Sequence, residues 1–282
     1  MKINILYKIA LFFLLAFQAC NLTRDVDIEL PEYERQPVVE CYLEPGKPYR
    51  LLLTRSYAFF DEFGLDSNFL QNTLLDGAVV TISHDGETDT LSNFLYPELH
   101  PFKIYNYFSP KLVPSTPGAR FDLNILLPDG RSIQGQTIML PVVPIDSVVV
   151  QWNPEKDTLA RVLTYITDDL NSQNYYRRLL NYSSLDSLPD QDFIFSDRSS
   201  QESTIAFGTG YDLHEGDTIF NTIFHITPEY YNYIESYQLA VIGNLNPFAQ
   251  PSPIKSNVSG TGNPLGIFTC LAYDRDTTII QR

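Results

Sequence analysis

The stretch "DGAVVTISHDGETDTLS" (76–92) constrains the fold more than any other part of the chain. Val79, Thr81 and Ser83 alternate with their neighbours up to Asp85-Gly86, and Thr88, Thr90 and Ser92 alternate on the way back. Side chains repeating every two residues belong to a strand, and Asp-Gly between two such runs marks a tight hairpin because both positions tolerate positive φ. The same device returns in "ARFDLNILLPDGRSIQGQTIMLP" (119–141), with Pro-Asp-Gly at the turn. "PVVECYLEP" (37–45) and "YRLLLTRSYAF" (49–59) form a third strand pair around Pro and Gly. No helical period occurs before residue 140, so the spacing predicts an immunoglobulin-like β-sandwich over 37–143.

"LPVVPIDSVVVQW" (140–152) brackets a short apolar link with prolines, which places a boundary near residue 143. Beyond it, over 144–282, "ARVLTYITD" and "NYYRRLLNYSS" read as strands. The polar run from Ser184 to Thr204 reads as loop, and "GYDLHEGDTIFNTIFHIT" reads as two strands around Glu215-Gly216-Asp217. One segment differs. In "TPEYYNYIESYQLAVIG" (227–243), Thr227 can cap, Pro228 suits the first turn, and Tyr230, Ile234, Tyr237 and Val241 recur at helical spacing. The expected fold is therefore mainly β: a sandwich followed by a second mostly-β domain carrying one amphipathic helix near 228–242.

The N-terminus fixes the compartment. Lys2 and Lys8 precede a run from Ile9 to Phe17 without charge, and Ala19-Cys20 follow. A positive segment, a short apolar segment and a small residue have the form of a secretory signal, and the apolar run is about half the ~20 residues that a bilayer crossing needs. Ala19-Cys20 resembles a bacterial lipobox, although Phe17 and Gln18 depart from its commonest form. Cys20 is read as the lipid-bearing first residue of the mature chain, with an ordinary signal cut elsewhere as the alternative. Residues 20–36 then form an acidic tether. Several acyl chains anchor stably, because each buried methylene contributes about 0.8 kcal/mol.

Removing residues 1–19, which hold two lysines and no acid, takes the formal charge from −15 to −17. Such a surface repels phosphate backbones, so nucleic acid is not an expected partner. Cys41 and Cys270 lie near opposite ends of the chain, as two separate buried thiols or, alternatively, as a disulfide.

Catalytic signatures are sparse. The four histidines, His84, His100, His214 and His225, have no Gly-x-Ser-x-Gly elbow to serve, and no P-loop or His-Glu-x-x-His occurs. Asp168-Asp169, Asp190 and Asp192 are nominal carboxylates for a glycan hydrolase, but only a spatial separation could qualify them. Asp25-x-Asp27 and Asp274-x-Asp276 are too short to define a calcium loop. No cofactor, metal or catalytic residue is assigned, and a non-enzymatic protein is expected.

Two aromatic groups, Tyr57, Phe59, Phe60 and Phe63 in "SYAFFDEFG" and Phe102, Tyr105, Tyr107 and Phe108 in "HPFKIYNYFSP", are candidate contacts for a partner protein or glycan if exposed, or core if buried. "NPFAQPSPIKSN" (246–257), rich in proline, belongs on a sheet edge or wraps a surface as a strap or docking segment.

Three long segments, "DDLNSQNYYRRLLNY" (168–182), "EGDTIFNTIFHITPEYYNYIES" (215–236) and "NPFAQPSPIKSNVSGTGNPLGIFT" (246–269), occur in order after "LPEYERQPVVECYL" and the Asp85-Gly86 hairpin. Together they resemble the Bacteroidota lipoproteins grouped as domain of unknown function 4249. The resemblance implies an outer-membrane lipoprotein, lipidated at Cys20, in the company of a TonB-dependent receptor, and it transfers no catalytic residue. Asp, then Ser or Thr, then an apolar residue or Thr also resembles the O-glycosylation sequon of exported Bacteroidota proteins. It occurs at Thr90, Ser147, Thr158, Ser187, Thr218 and Thr277, where strand propensity alone is the competing explanation. Three functions follow as expectations: an accessory of such a receptor, a glycan-binding or glycan-cleaving surface protein, and a purely structural envelope protein.

Overall fold

Alternation becomes burial in the computed structural model, which describes residues 34–57, 69–199, 202–244 and 252–282. In β1 (Pro37–Leu43) every second residue is buried, and β6 (Arg120–Leu126) and β7 (Ser132–Ile138) repeat the pattern. These join β2 (Pro48–Arg55), β3 (Val79–His84), β4 (Glu87–Leu99) and β5 (Phe102–Leu112), together with β14 (Val258–Gly260) and β15 (Leu265–Cys270) from the end of the chain. The result is one nine-stranded sheet in the order β14-β7-β6-β3-β4-β5-β2-β1-β15. Its inward side chains, among them Val39, Leu51, Val80, Tyr107, Phe121, Leu123 and Phe268, form one core. Each such fully buried large side chain contributes roughly 1.5–3 kcal/mol.

The predicted Asp85-Gly86 turn forms, with φ of 49° and 78°, and pairs His84 with Glu87. Two positive φ values are those of a type I′ turn, whose twist matches the strands it joins. A short helix α1 (Phe69–Thr73) interrupts the region expected to hold strands alone.

The boundary expected near residue 143 separates sheets rather than stretches of chain, because β14 and β15 return to the first sheet and residues 35–282 form one compact unit. The second half places β8 (Ile145–Trp152), β9 (Ala160–Thr167) and β12 (Thr204–Gly208) in a three-stranded sheet. It places β10 (Tyr175–Tyr182), β11 (Gln191–Ser196), β13 (Thr218–Ile226) and β16 (Ala272–Ile279) in a four-stranded one. The two pack face to face, Val162 with Leu180 and Ile219, and Ile166 and Phe207 with Tyr176 and Ile223. β13 is buried on nearly every residue, as a central strand covered on both faces must be.

Two expectations are corrected here. The polar run after Ser184 contains β11, paired along β10 from Tyr175 to Leu180. Its period is carried by Phe193 and Phe195 on Phe207 and by Ile194 on the opposite side, and polar flanks mask it. The strand expected just before Glu215 lies further back, at β12, and only Leu213 bridges to Ala160.

The helix α2 (Pro228–Asn244) starts where predicted, and Thr227 Oγ1 accepts the Tyr230 N–H at 3.3 Å as its cap. Tyr230 and Ile234 pack on Phe224, Ile267 and Leu271, whereas Tyr237 and Val241 are exposed, so only the first two turns are buried. Among the described residues no helix is long and apolar enough to cross a membrane. The acidic tether and Cys20 lie outside the described residues, apart from 34–36.

Candidate functional site

A cleft of about 560 Å³ opens between the β1–β4–β5 side of the first sheet and the β10–β13–β16 face. Outward positions build it. On β1 and β10, where alternate residues enter the core, Tyr42 and Arg177 face the other way, and Lys103 from β5 and Tyr273 from β16 join them in the lining. Tyr230, from the first turn of α2, closes the floor edge-on to Tyr42, with ring centroids 5.8 Å apart.

Charges in the cleft are held in fixed places. Arg177 donates from Nε and Nη2 to the two Asp192 oxygens at 2.8 and 2.6 Å, and from Nη1 to the Tyr230 hydroxyl at 2.5 Å. This two-pronged pairing fixes the plane of the guanidinium. Lys103 Nζ sits 3.0 Å from Glu40 Oε2 and 4.7 Å above the Tyr42 ring. Below it, buried Arg50 bonds Glu98 at 2.5 Å and Glu44 at 3.0 Å and lies 5.1 Å from the Tyr105 ring centre. Burial opposes the Arg50 charge, but Tyr105, Glu44 and Glu98 outweigh it and hold the guanidinium above its ordinary value. At the mouth, Lys47 and Arg275 are exposed, and neither has a carboxylate partner among the described residues. The lining thus sets Lys47, Lys103, Arg177 and Arg275 beside tyrosine faces and against the carboxylates Glu44, Glu98 and Asp186. It can hold a small ligand bearing an anionic or hydroxyl-rich group and a flat or apolar side.

The predicted aromatic contacts divide. Phe102 is 68% exposed at the tip of the β4–β5 hairpin, and Phe108 is half-buried, stacked on Tyr96 at 4.4 Å. Tyr105 and Tyr107, by contrast, are 5% and 0% exposed and are not available to a partner protein. Tyr107 is inward because its hydroxyl serves the backbone, accepting from Ala78 N at 2.9 Å and donating to Leu75 O at 2.8 Å. Tyr57 is half-buried with its hydroxyl 2.5 Å from Thr73 Oγ1. Phe59, Phe60 and Phe63 lie outside the described residues. Sequence reasoning missed Leu99, exposed and paired with Phe102, and Phe94 and Leu95, exposed further back along β4. Their signal was available in "NFLYPEL", an apolar run in a strand whose other face was polar.

The carboxylates named as nominal hydrolase candidates do not share a site. Asp168 is buried, Asp169 faces solvent and holds Asn171, Asp190 accepts the Tyr182 N–H, and Asp192 is taken by Arg177. His84 stacks on Phe121, and His225 Nδ1 lies 2.9 Å from the Pro141 carbonyl, both structural placements. Cys41 and Cys270 are free, buried thiols. At the sequon positions, Thr90, Ser147, Thr158, Ser187 and Thr277 are exposed and Thr218 is half-buried, so five present a hydroxyl to solvent. Ser187 belongs to the loop on the rim of the cleft.

No curated protein matches the chain. Among solved structures, the human OSCAR ligand-binding domain is similar at 14% identity, over 70% of this chain and 92% of that one, with a TM-score of 0.21; a likeness that low carries no argument. The profile described as "Domain of unknown function (DUF4249)" matches residues 23–277, from the start of the tether through β16. The chain belongs to the DUF4249 family.

Proposed function

We propose that this protein is an outer-membrane lipoprotein of the Bacteroidota type, acylated at Cys20, that binds rather than transforms and serves as an accessory of a TonB-dependent receptor. The observation that carries the reading is the β4–β5 hairpin, where Leu99 and Phe102 pair across the two strands at 66% and 68% exposure, with Phe94 and Leu95 exposed further back along β4. Exposed aromatic and aliphatic anchors grouped in this way favour a protein partner. The N-terminal residues support the anchor: a short apolar run, Ala19-Cys20 and an acidic tether.

The test isolates the native protein from gently solubilised outer membranes and identifies what accompanies it. A TonB-dependent receptor is expected with the wild type and is lost from a Leu99→Ser/Phe102→Ser variant that still fractionates with the membrane. Cys20→Ala moves the protein to the soluble fraction. Recovery of the lipoprotein alone would end the receptor reading, and membrane retention of Cys20→Ala would end the anchor.

A second reading, glycan binding, is favoured by the tyrosine-walled cleft with its cationic mouth. Its mark would be saturable binding of an acidic oligosaccharide that Lys103→Ala or Arg275→Ala weakens.

A further inference from the structure

The helix α2 ends differently from the way it begins. Over its first two turns Tyr230 and Ile234 are buried with Phe224, Ile267 and Leu271. Over its last two, Tyr237, Leu239, Val241 and Ile242 are 44–63% exposed. At about 100° per residue, Tyr237 and Val241 continue the buried stripe, whereas Leu239 and Ile242 lie on other sides of the helix. The end of α2 is therefore an apolar finger, uncovered around most of its circumference.

No charged residue occurs between Glu235 and Lys255, and these two bounding charges pair with each other at 3.6 Å. Tyr233 and Tyr237 stack with ring centroids 6.5 Å apart where the buried part of the helix gives way to the exposed part. In a chain of net charge −15, a neutral apolar end is the part that an anionic lipid surface repels least. A rigid protein groove covers one stripe of a helix, while a fluid hydrocarbon layer covers every side of one. Tyrosine at the border between apolar and wet surroundings is the arrangement of membrane interfaces.

The direction of the finger is fixed by the register of its neighbours. Tyr230 stands edge-on to Tyr42, near the end of β1. One and a half turns on, Ser236 Oγ accepts the Lys255 N–H at 2.9 Å. The next residue, Ser256, accepts with its Oγ the N–H of Gly266, which is the β15 partner of Val39. α2 thus runs back along β1 towards the start of that strand. From Ser236 to Ile242 the helix advances about 9 Å, and from Val39 back to Pro37 the strand covers about 7 Å. The finger therefore emerges at the end of the molecule where the chain enters β1 from the stretch that follows Cys20.

We propose that the last two turns of α2 insert into the lipid surface that holds the acyl chains of Cys20, so that the protein meets the membrane at two points and the first turn of α2, with the cleft, faces away. The inference rests on the lipid-anchored reading above. An apolar helix at such a surface sits roughly 5–10 Å deep, which Leu239, Val241 and Ile242 suffice to reach.

The test couples the full-length mature protein through the Cys20 thiol to maleimide-bearing phosphatidylcholine vesicles, the other two thiols being buried. Coupling stands in for acylation, so the result does not depend on what cells attach to Cys20, which fractionation of Cys20→Ala decides separately. Wild type carries Trp152 alone. Ile242→Trp, and Leu188→Trp on the rim of the cleft, each add a fluorophore that brominated acyl chains quench on contact. Ile242→Trp is expected to lose at least about half of its added emission and Leu188→Trp almost none, with both melting like wild type because both positions are exposed. Leu239→Asp combined with Ile242→Trp is expected to remove most of the quenching. Should Ile242→Trp melt early, Leu239→Trp reports from the same end. Equal quenching at the two ends, or none at the finger, would overturn the insertion. In the second case, a vesicle-free dimer in sedimentation that Leu239→Asp/Ile242→Asp splits would give the finger to a second copy of the chain instead.

Discussion

The Asn106 carboxamide pairs with the Leu53 main chain: the Leu53 N–H donates to Oδ1 at 2.8 Å, and Nδ2 donates at 3.1 Å to the Leu53 carbonyl, which also accepts the Leu75 N–H at 3.0 Å. Direct pairing of β2 with β5 ends at Leu51 opposite Tyr107, so the side chain continues a ladder that the backbone has left. Both residues are buried, and water cannot replace the amide. Leaving the buried Leu53 N–H unmet costs about 1–3 kcal/mol, while its carbonyl keeps the Leu75 amide. Asn106→Ala is therefore expected to lose about 1–3 kcal/mol in urea unfolding, and a loss under about 0.5 kcal/mol would show that the strand closes up without it.

Asn257 repeats the device at the other end of the chain, accepting from Phe268 N at 2.9 Å and donating to Phe268 O at 2.7 Å. It belongs to the proline-rich strap, whose described part also places Ser236 Oγ as acceptor for Lys255 N. The strap expected from its prolines is thus a run of side chains standing in for ladder hydrogen bonds beside β15.

β15 itself depends on Gly266. Its φ is 119°, and a Cβ there would collide with the Val39 carbonyl across the parallel β1–β15 pair. No side-chain rotation relieves a clash with backbone. Gly266→Ala is expected to cost about 3 kcal/mol or more, since strain and collision add. Thermal melting by circular dichroism checks it, and a shift within a degree or two of wild type would contradict the tight approach.

Which parts were legible in the sequence follows from the range of the interactions. The Asp85-Gly86 hairpin, the Thr227 cap and the alternation of β1, β6 and β7 are local, and each was readable from a few residues. The return of β14 and β15 to the first sheet is a pairing across more than 200 residues, Val38 with Leu265, and nothing local announces it. β11 was lost because three apolar residues stand among polar ones. Tyr105 and Tyr107 were ambiguous for a different reason: a tyrosine can be buried wherever its hydroxyl finds a partner, and the partners, Glu98 for one and Leu75 for the other, are set by tertiary structure.

Acid should act on His225. Burial lowers its pKa below the ordinary 6.5, although the Pro141 carbonyl and the Asp168 and Asp197 charges pull the other way. The native ring then stays neutral at a pH where the unfolded chain, titrating near about 6.5, takes up a proton. This contribution to stability is present above about pH 6.5 and is lost as pH falls through the lower native value. In metal-free buffer, wild type is expected to lose more unfolding free energy between about pH 8 and 5 than His225→Gln, whose amide can still bond the Pro141 carbonyl. Parallel pH curves for the two proteins would show that the ring titrates alike in the native and unfolded chains.

The last prediction concerns the two buried thiols. Cys41 faces Phe268 in the β1–β15 register and Cys270 faces Leu43, so the two sulfurs sit on diagonal rather than opposed positions, and both remain free. Burial, and next the neighbouring Cys270, push the Cys41 thiol far up, while burial raises Cys270 to about 12 against the Thr137 hydroxyl. The thiolate is the nucleophile, so both cysteines should be inert. With 5,5′-dithiobis(2-nitrobenzoate) at about pH 8, where an ordinary thiol reacts readily, neither residue should react in the native protein. Both should react once guanidinium unfolds the nine-stranded sheet. Fast modification of either thiol under native conditions would mean that β15 opens away from β1, and Gly266→Ala should then react faster still.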